Sequence, residues 1–169
     1  MPARTKVPDA LIVSGDARIR SVLDREDSVV IPAFACRLDG FVNDTFTEYA
    51  NSSVYRPPSV CKARLVTTLQ DTIKPAGKYY LAVTMYTAAG QDEEVGIWIG
   101  HREVACVRMP DPDNRTHRFV VPDRFSFQGG EPVRVVTSET TGACRIENLV
   151  LLSKKPRVSA FDLKIIDPQ

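Results

Sequence analysis

Residues 77–100 decide the fold of this chain, and they read GKYYLAVTMYTAAGQDEEVGIWIG. Both arms of this stretch alternate between apolar and other side chains with a period of two, which is the period of a β-strand. The segment between the arms, residues 88–93, includes Gly90 and has no apolar surface to bury, so we expect a turn there. The stretch therefore predicts two neighbouring strands that share one apolar face. The residues of that face are Tyr79, Leu81, Val83, Met85, Val95, Ile97 and Ile99.

The bulk composition is that of an ordinary globular protein, with 169 residues of which 43% are hydrophobic. We expect residues 1–8 to form a flexible leader and residues 9–169 to form a single domain. The net charge of +1 favours neither a nucleic-acid nor a membrane-surface partner. No apolar run approaches the roughly 18–20 residues of a membrane span, and the N-terminus lacks the apolar core of a signal peptide. We therefore expect a cytoplasmic protein or a piece trimmed from a longer secreted chain.

The rest of the chain repeats the strand pattern at short intervals. Residues 17–24 fit either a helical face or a short strand, and Pro32 places its strand at a sheet edge or a bulge. Residues 38–58 form a long irregular segment with four aromatic side chains, which we expect to wrap over the sandwich. Many short strands separated by turns predict a β-sandwich or a barrel. The further predicted strands are residues 28–36, 61–70, 103–109, 118–121, 132–137 and 143–152.

Three segments carry a family pattern: GKYYLAV at residues 77–83, VGIWIG at 95–100 and GACRIENLVLL at 142–152. On these segments, residues 76–152 resemble the galactose-binding-like jelly-roll modules, a group that includes many carbohydrate-binding modules attached to glycan-active enzymes. Such modules often show a G-x-Y-x-L-x-V strand, an apolar strand that ends in a glycine turn, and a closing strand of I-x-N-L-x-L character. The resemblance implies an all-β jelly-roll sandwich of about eight to ten strands, with at most one short N-terminal helix. It also implies a module that binds glycan or packs on a catalytic partner.

The alternation of residues 77–100 leaves aromatic side chains on the outer face of the predicted strand pair. Tyr80, Tyr86 and Trp98 fall on that face, and such rings suit the flat C–H surfaces of sugars. Polar contacts to the sugar hydroxyl groups are predicted from Thr84, Arg134 and Arg145. One alternative is that both sheet faces are covered and that residues 38–58 pack on these aromatics. Another is that Arg145 forms a cross-strand ion pair with Glu147.

Oxygen ligands crowd together at two places in the chain. Asp111, Asp113 and Asn114 lie within four residues, in a loop that prolines rigidify, and this set predicts a possible structural Ca²⁺ site. The alternative is a proline turn whose Asx side chains cap the backbone. The second crowded set is Asp39, Asn43 and Asp44. The two histidines, His101 and His117, are expected to be solvated loop residues because neither has a convergent partner in the sequence.

The four cysteines form no C-x-x-C pair, so neither a zinc ribbon nor a thioredoxin-type motif is indicated. Buried free thiols are one interpretation, and one or two disulfides are the other. If a disulfide forms, the Cys36–Cys61 pair is the first guess, although the sequence does not choose among the pairings. The remaining cysteines are Cys106 and Cys144.

No catalytic motif occurs in the sequence: it contains no G-x-S-x-G, no H-E-x-x-H and no phosphate-binding glycine loop. We therefore expect a non-catalytic, carbohydrate-binding module that acts as an accessory domain of a secreted glycan-active enzyme. Its expected partners are a glycan or polysaccharide and a catalytic domain, in an extracellular or periplasmic location. The alternative is a structural interaction domain that docks on a neighbouring domain or subunit. A small β-sandwich enzyme is the third and least favoured option.

Overall fold

A computed structural model describes residues 11–14, 28–43, 53–87, 94–108, 115–154, 157–158 and 165–166, and it shows an antiparallel β-sandwich. The all-β prediction is confirmed, while the N-terminal leader predicted for residues 1–8 lies outside the described residues. The strands are β1 (Leu11–Ser14), β2 (Ser28–Pro32), β3 (Arg37–Asp39), β4 (Val42–Asn43), β5 (Val54–Tyr55), β6 (Thr68–Ile73), β7 (Gly77–Thr87), β8 (Glu94–Ile99), β9 (Arg102–Arg108), β10 (Arg115–Phe127), β11 (Glu131–Thr137), β12 (Cys144–Leu152), β13 (Arg157–Val158) and β14 (Ile165–Ile166).

Two sheets form the sandwich. One sheet has seven strands in the order β1-β10-β7-β12-β5-β4, with β2 also paired to β12. The other has five strands in the order β3-β6-β11-β8-β9, and β13 pairs with β14 separately. Among the described strands β2 pairs only with β12, which agrees with the edge position predicted from Pro32. Several strands have only two or three residues, which is why the described strands outnumber those expected.

The two arms of residues 77–100 do not form the predicted pair of neighbouring strands. β7 lies between β10 and β12 in the seven-stranded sheet, whereas β8 lies between β11 and β9 in the five-stranded sheet. The chain therefore crosses from one sheet to the other between Thr87 and Glu94, and the prediction of adjacent strands is wrong. A period-two pattern indicates only that each strand has one buried face. Such faces are buried equally well when the strands lie side by side and when they face each other across a sandwich.

A short α-helix, α1 (Pro58–Lys62), occupies the start of the strand predicted for residues 61–70. Prolines suit the first helical turn because the N–H that they lack has no partner inside the helix, and Pro57 is the extended N-cap. The strand itself begins only at Thr68. Among the described residues, no helix has the length and apolar character that crossing a bilayer needs. The helix considered for residues 17–24 lies outside the described residues.

The strand predicted for residues 28–36 is also shorter than expected. It ends at Pro32, and the 3-10 turn Ala33–Ala35 follows it. Phe41, from the irregular segment 38–58, is only 4% exposed and belongs to the core between the sheets. Part of this segment therefore packs inside the sandwich, although we expected it to wrap over the outside.

The core lies between the two sheets, and alternate residues of β7, β8, β11 and β12 project into it. A second and smaller apolar cluster lies on the outer face of the seven-stranded sheet. It consists of Ala82, Val120, Val150 and Leu152, with Tyr80 packed against it. The fully buried core side chains of the four strands include Leu81, Val83, Met85, Val95, Ile97, Val133, Val135, Ile146, Leu149 and Leu151.

The turn between β10 and β11 is organised by one carboxylate. Glu131 accepts hydrogen bonds from the backbone N–H groups of Gln128 and Gly129, each at 2.8 Å. Gly129 and Gly130 have φ values of +99° and +97°, which favour glycine at both positions. The hydrogen bonds, that from Gln128 first, lower the pKa of Glu131 below its ordinary value of 4.5. The carboxylate form therefore stabilises the turn.

All four cysteines are free thiols, so the Cys36–Cys61 disulfide guess is wrong and the free-thiol interpretation is confirmed. Three of the thiols are buried, while Cys61 at the end of α1 is partly exposed. Burial, and secondarily the negative charge of Asp71, raise the pKa of the Cys36 thiol to about 12. Because the thiolate is the reactive form, Cys36 is protected by both its pKa and its burial.

Replacing Glu131 tests the turn through its pH dependence. The folded-state pKa of Glu131 lies below the unfolded-state value, so the carboxylate adds stability above the unfolded pKa and loses that contribution as the pH falls through the folded pKa. We expect Glu131→Gln to be less stable than the wild type at pH 7, and we expect the difference to shrink toward pH 3. Urea denaturation across this pH range measures it. A difference that is constant with pH would contradict the role assigned to the carboxylate.

Thiol titration tests the cysteine assignment. Under native conditions at neutral pH, we expect Ellman's reagent to modify Cys61 first, because it is the most accessible of the four thiols. After unfolding in guanidinium chloride without a reductant, all four thiols should react. Peptide mapping of the early product identifies the modified residue, and Cys61→Ser is the control that removes the early phase. Only two reactive thiols in the unfolded chain would indicate a disulfide.

Candidate functional site

The three aromatic residues of the predicted platform do not share a surface. Tyr80 and Tyr86 lie on β7 and alternate with core residues, so they project from the outer face of the seven-stranded sheet. Trp98 lies on β8 and projects from the outer face of the five-stranded sheet, on the opposite side of the sandwich. The prediction of one continuous platform is therefore wrong. Each sheet instead carries its own pairing of an aromatic ring with an arginine.

A small pocket surrounds Tyr86 near the end of the seven-stranded sheet. Tyr86 on β7 lies opposite Arg145 on β12, and Arg145 lies opposite Tyr55 on β5, so the three side chains form one row across three strands. The guanidinium carbon of Arg145 is 5.6 Å from the centre of the Tyr86 ring, which is a cation–π distance. The cavity has a volume of about 170 Å³. The residues that line it, which we call the Tyr86 pocket, are Tyr55, Arg56, Tyr86, Ala143, Cys144 and Arg145.

Arg56 is the most deeply buried polar side chain of this pocket, with 0% of its surface exposed. Its Nη1 donates to the carbonyl oxygen of Thr141, and its Nη2 donates to that of Leu65 at 2.5 Å. Its backbone N–H donates to the carbonyl of Cys144 at 3.0 Å, where β12 begins. Arg56 therefore ties the loop after α1 and the loop before β12 to the end of β5.

Sequence reasoning missed Tyr55 and Arg56 as site residues. They follow the long irregular segment and immediately precede Pro57 and Pro58, so no period of two surrounded them. β5 has only two residues, which is too short for any periodic signal. The one available signal was an aromatic residue next to an arginine in a segment otherwise rich in loop residues, and that signal is weak.

A second pairing of an aromatic ring with an arginine lies on the five-stranded sheet. Arg134 on β11 lies opposite Trp98, and its guanidinium carbon is 5.2 Å from the centre of the indole ring. Arg134 also donates to the carbonyl of Gly100 at 3.3 Å. The indole lies over Gly96, because a Cβ atom built there would be 3.2 Å from the indole nitrogen. The ring of Trp98 is thus already in contact with its own sheet and with Arg134.

Two residues predicted to contact a ligand serve packing instead. Thr84 is fully buried, and its hydroxyl oxygen accepts a hydrogen bond of 2.9 Å from Nε of Arg118 on the neighbouring strand β10. Tyr80 packs against the small apolar cluster on the same face. The alternative that this face is covered therefore holds at Thr84 and Ala82, both fully buried. Arg145 and Glu147 lie two residues apart on the same strand, β12, so an ion pair between them would join positions within one strand, and it stays a prediction.

The proposed Ca²⁺ ligands Asp111, Asp113 and Asn114 lie outside the described residues, and so does Asp44. Asp39 and Asn43 are described, and both are exposed. In the described part of the chain, no three His, Cys, Asp or Glu side chains group closely enough to hold a metal ion. His101 is exposed in the turn between β8 and β9, as expected, and His117 lies on β10 rather than in a loop.

No protein-family model and no curated protein matches the sequence. Solved structures do match. The chain is similar to a family 35 carbohydrate-binding module from Clostridium thermocellum, at 12% identity and a TM-score of 0.58, over 75% of this chain and 98% of that one. It is similar to CBM35 from Paenibacillus barcinonensis, at 12% identity and a TM-score of 0.55, over 74% and 98%. It also matches the GH26-CBM35 β-(1,4)-mannanase of Podospora anserina, at 16% identity and a TM-score of 0.58, over 79% of this chain.

At such identities the likeness is one of fold, and the chain has the jelly-roll β-sandwich fold of carbohydrate-binding modules. The two structures that it covers almost completely are carbohydrate-binding modules by name. The chain spans only 29% of the mannanase chain that it matches.

The buried contact of Thr84 predicts a loss of stability when its hydroxyl group is removed. We expect Thr84→Val to lower the free energy of unfolding by about 1–3 kcal/mol, because a buried guanidinium donor loses an acceptor. Urea denaturation measures this change. The control is Thr72→Val, which makes the same substitution at an exposed strand position and should have little effect. Equal stability of Thr84→Val and the wild type would contradict the packing role.

Proposed function

We propose that this chain is a non-catalytic carbohydrate-binding module and that the Tyr86 pocket is its glycan site. The observation that carries the proposal is the row of Tyr86, Arg145 and Tyr55 around a cavity on the outer face of the sandwich. Ligand sites are usually concave and combine aromatic surface with a few directed polar groups. The likeness of the fold to family 35 modules supports the same function.

The composition of the pocket suits a sugar. Tyrosine rings bury the C–H face of a sugar ring while their hydroxyl groups remain available for hydrogen bonds. The guanidinium of Arg145 carries several donors in one plane, which fits the oxygen atoms on the edge of a ring. A cavity of about 170 Å³ is smaller than the roughly 300–1,000 Å³ typical of drug-sized ligands. We therefore propose recognition of one sugar residue at a time, with the remainder of the glycan outside the pocket.

We further propose that the module is an accessory domain of a glycan-active enzyme in an extracellular or periplasmic location. The match to part of a mannanase chain supports an arrangement of this kind. A catalytic domain is then the expected neighbour, and the glycan is the expected ligand.

A second candidate function is that of an interaction domain that docks on another domain. One observation favours it: Leu65 and Val66, after α1, are 54% and 53% exposed. Adjacent aliphatic side chains in a loop are a plausible contact for a neighbouring domain. They lie next to the pocket, since the carbonyl of Leu65 accepts a hydrogen bond from Arg56.

Tyr86 and Trp98 lie on opposite sheets, so a pair of matched variants tests which of the two side chains belongs to the glycan site. We expect Tyr86→Ala to weaken binding to a panel of soluble polysaccharides by about tenfold or more, since a buried aromatic contact at a binding site commonly contributes more than about 1.4 kcal/mol. Trp98→Ala should leave binding unchanged. Affinity electrophoresis identifies the polysaccharide, and isothermal titration gives the dissociation constants.

The reverse pattern, in which only Trp98→Ala weakens binding, would move the site to the five-stranded sheet. If the wild type binds no polysaccharide, the glycan function fails. Binding of a catalytic domain that is lost in Leu65→Ser/Val66→Ser would then favour the interaction domain.

A further inference from the structure

The segment at the end of α1 is the most exposed apolar part of the described chain. Residues 62–66, which we call the α1 loop, are all exposed. Leu65 and Val66 are 54% and 53% exposed, and they are the two most exposed of the large hydrophobic side chains that the structure describes. Single exposed hydrophobic residues are normal on a protein surface, but adjoining ones form a patch that a partner can cover.

The backbone of the α1 loop holds an arginine in a conformation that favours glycine. The N–H of Leu65 donates to the carbonyl of Val60 at 3.2 Å, and the N–H of Arg64 donates to that of Cys61 at 3.1 Å, which is the Schellman motif that ends many helices. The motif needs positive φ at Arg64, and φ is +54° there. Among the described residues, Arg64 is the one non-glycine residue with positive φ.

The strain at Arg64 points to a use for its side chain. Glycine takes the left-handed conformation without steric cost, whereas a residue with a Cβ does not. Backbone strain of this kind is typical of sites that contact a ligand or partner. A cation near the end of a helix also interacts with the helix dipole, but Lys62 already lies in the last turn of α1. The exposed guanidinium is therefore the feature that distinguishes Arg64 from the glycine that the backbone favours.

The charge around the two aliphatic side chains has one sign. Residues 49–70 contain no aspartate or glutamate, but they contain Arg56, Lys62 and Arg64. Arg56 is buried, while Lys62 and Arg64 are exposed beside the aliphatic pair. The whole chain has a net charge of only +1, so the positive sign is a property of this segment. A complementary surface therefore carries negative charge around an apolar centre.

The α1 loop is held in place on both sides. The carbonyl of Leu65 accepts a hydrogen bond from the buried Arg56. At Thr67, the backbone N–H donates to the hydroxyl of Thr137 at 2.9 Å, and the carbonyl accepts from the N–H of Thr137 at 2.9 Å. A loop that is fixed in this way loses little conformational entropy when a partner binds.

We propose that the α1 loop is the docking surface for a neighbouring protein domain that presents carboxylates around an apolar patch. Leu65 and Val66 cover the apolar centre, while Lys62 and Arg64 pair with carboxylates at the rim. A protein surface is favoured over a lipid surface because segments that bind anionic lipids typically carry about four to eight cations, and this loop has two. The inference rests on the interaction-domain function proposed above, whose partner it specifies, and it does not require the glycan site.

Three peptides of equal length test the partner chemistry with the wild-type chain. In the probe, glutamate alternates with leucine; in one control, lysine replaces glutamate, and in the other, serine replaces leucine. We expect the glutamate–leucine peptide to bind about tenfold or more tightly than either control in biolayer interferometry at low salt. Added salt should weaken the binding because it screens exposed ion pairs. Equal affinity for the three peptides would overturn the proposal.

Arg64→Gly separates docking from folding, because the two expected effects have opposite directions. Relief of the strained backbone should raise the melting temperature by about 2–4 °C. Loss of the guanidinium should weaken binding of the glutamate–leucine peptide by about fivefold or more. Arg64→Lys keeps the charge and should keep the affinity, as should Arg134→Gln, which removes an arginine from the five-stranded sheet. Unchanged peptide affinity or a lower melting temperature in Arg64→Gly would contradict the role assigned to Arg64.

Two further measurements separate this inference from its alternatives. If the wild type binds vesicles of phosphatidylcholine and phosphatidylserine but shows no preference for the glutamate–leucine peptide, the choice of a protein partner is wrong. If it shows the peptide preference but binds no polysaccharide, the docking surface stands and the glycan function fails. If it binds a polysaccharide without any peptide preference, the docking surface fails and the glycan function stands.

Discussion

The structure depends on the burial of one face of each sheet against the other. β7 and β12 supply the centre of one inner face, and β8 and β11 supply the centre of the opposite one. Their aliphatic side chains are completely excluded from water, and burial of such side chains is the dominant favourable term in folding. Every residue between these core positions is thereby assigned to an outer face. The positions of Tyr86 and Trp98 on opposite sides of the molecule follow from that assignment.

The two outer faces have different chemistry as a result. On the five-stranded sheet, Trp98 lies over Gly96 and is in cation–π contact with Arg134. On the seven-stranded sheet, the short strand β5 ends beside the start of β12, and the Tyr86 pocket opens at that point. β5 pairs with β12 only at Val54 and Tyr55, and the next residue, Arg56, lines the pocket.

Two buried arginines illustrate how differently one side chain is used within this fold. Arg118 lies within the seven-stranded sheet and donates to Thr84 on the adjacent strand, so it belongs to the packing of the outer face. Arg56 lies beyond the end of β5, and its acceptors are carbonyl oxygens of two loops. Arg56 thereby links the position of these two loops to the shape of the pocket.

The amino-acid sequence by itself determined the central strands β7, β8, β11 and β12 and which of their faces are buried. The alternation in β7, β8 and β12 was sufficient for the all-β sandwich, because burial of alternate side chains is a local property of each strand. Only the tertiary structure decided which strands are neighbours. The same apolar face is buried when two strands lie side by side in one sheet and when they face each other across the sandwich. That decision separated Trp98 from Tyr86, buried Thr84, and brought Tyr55 and Arg56 to Arg145. These contacts join residues about 30 to 90 positions apart, and no local pattern encodes a contact over that distance.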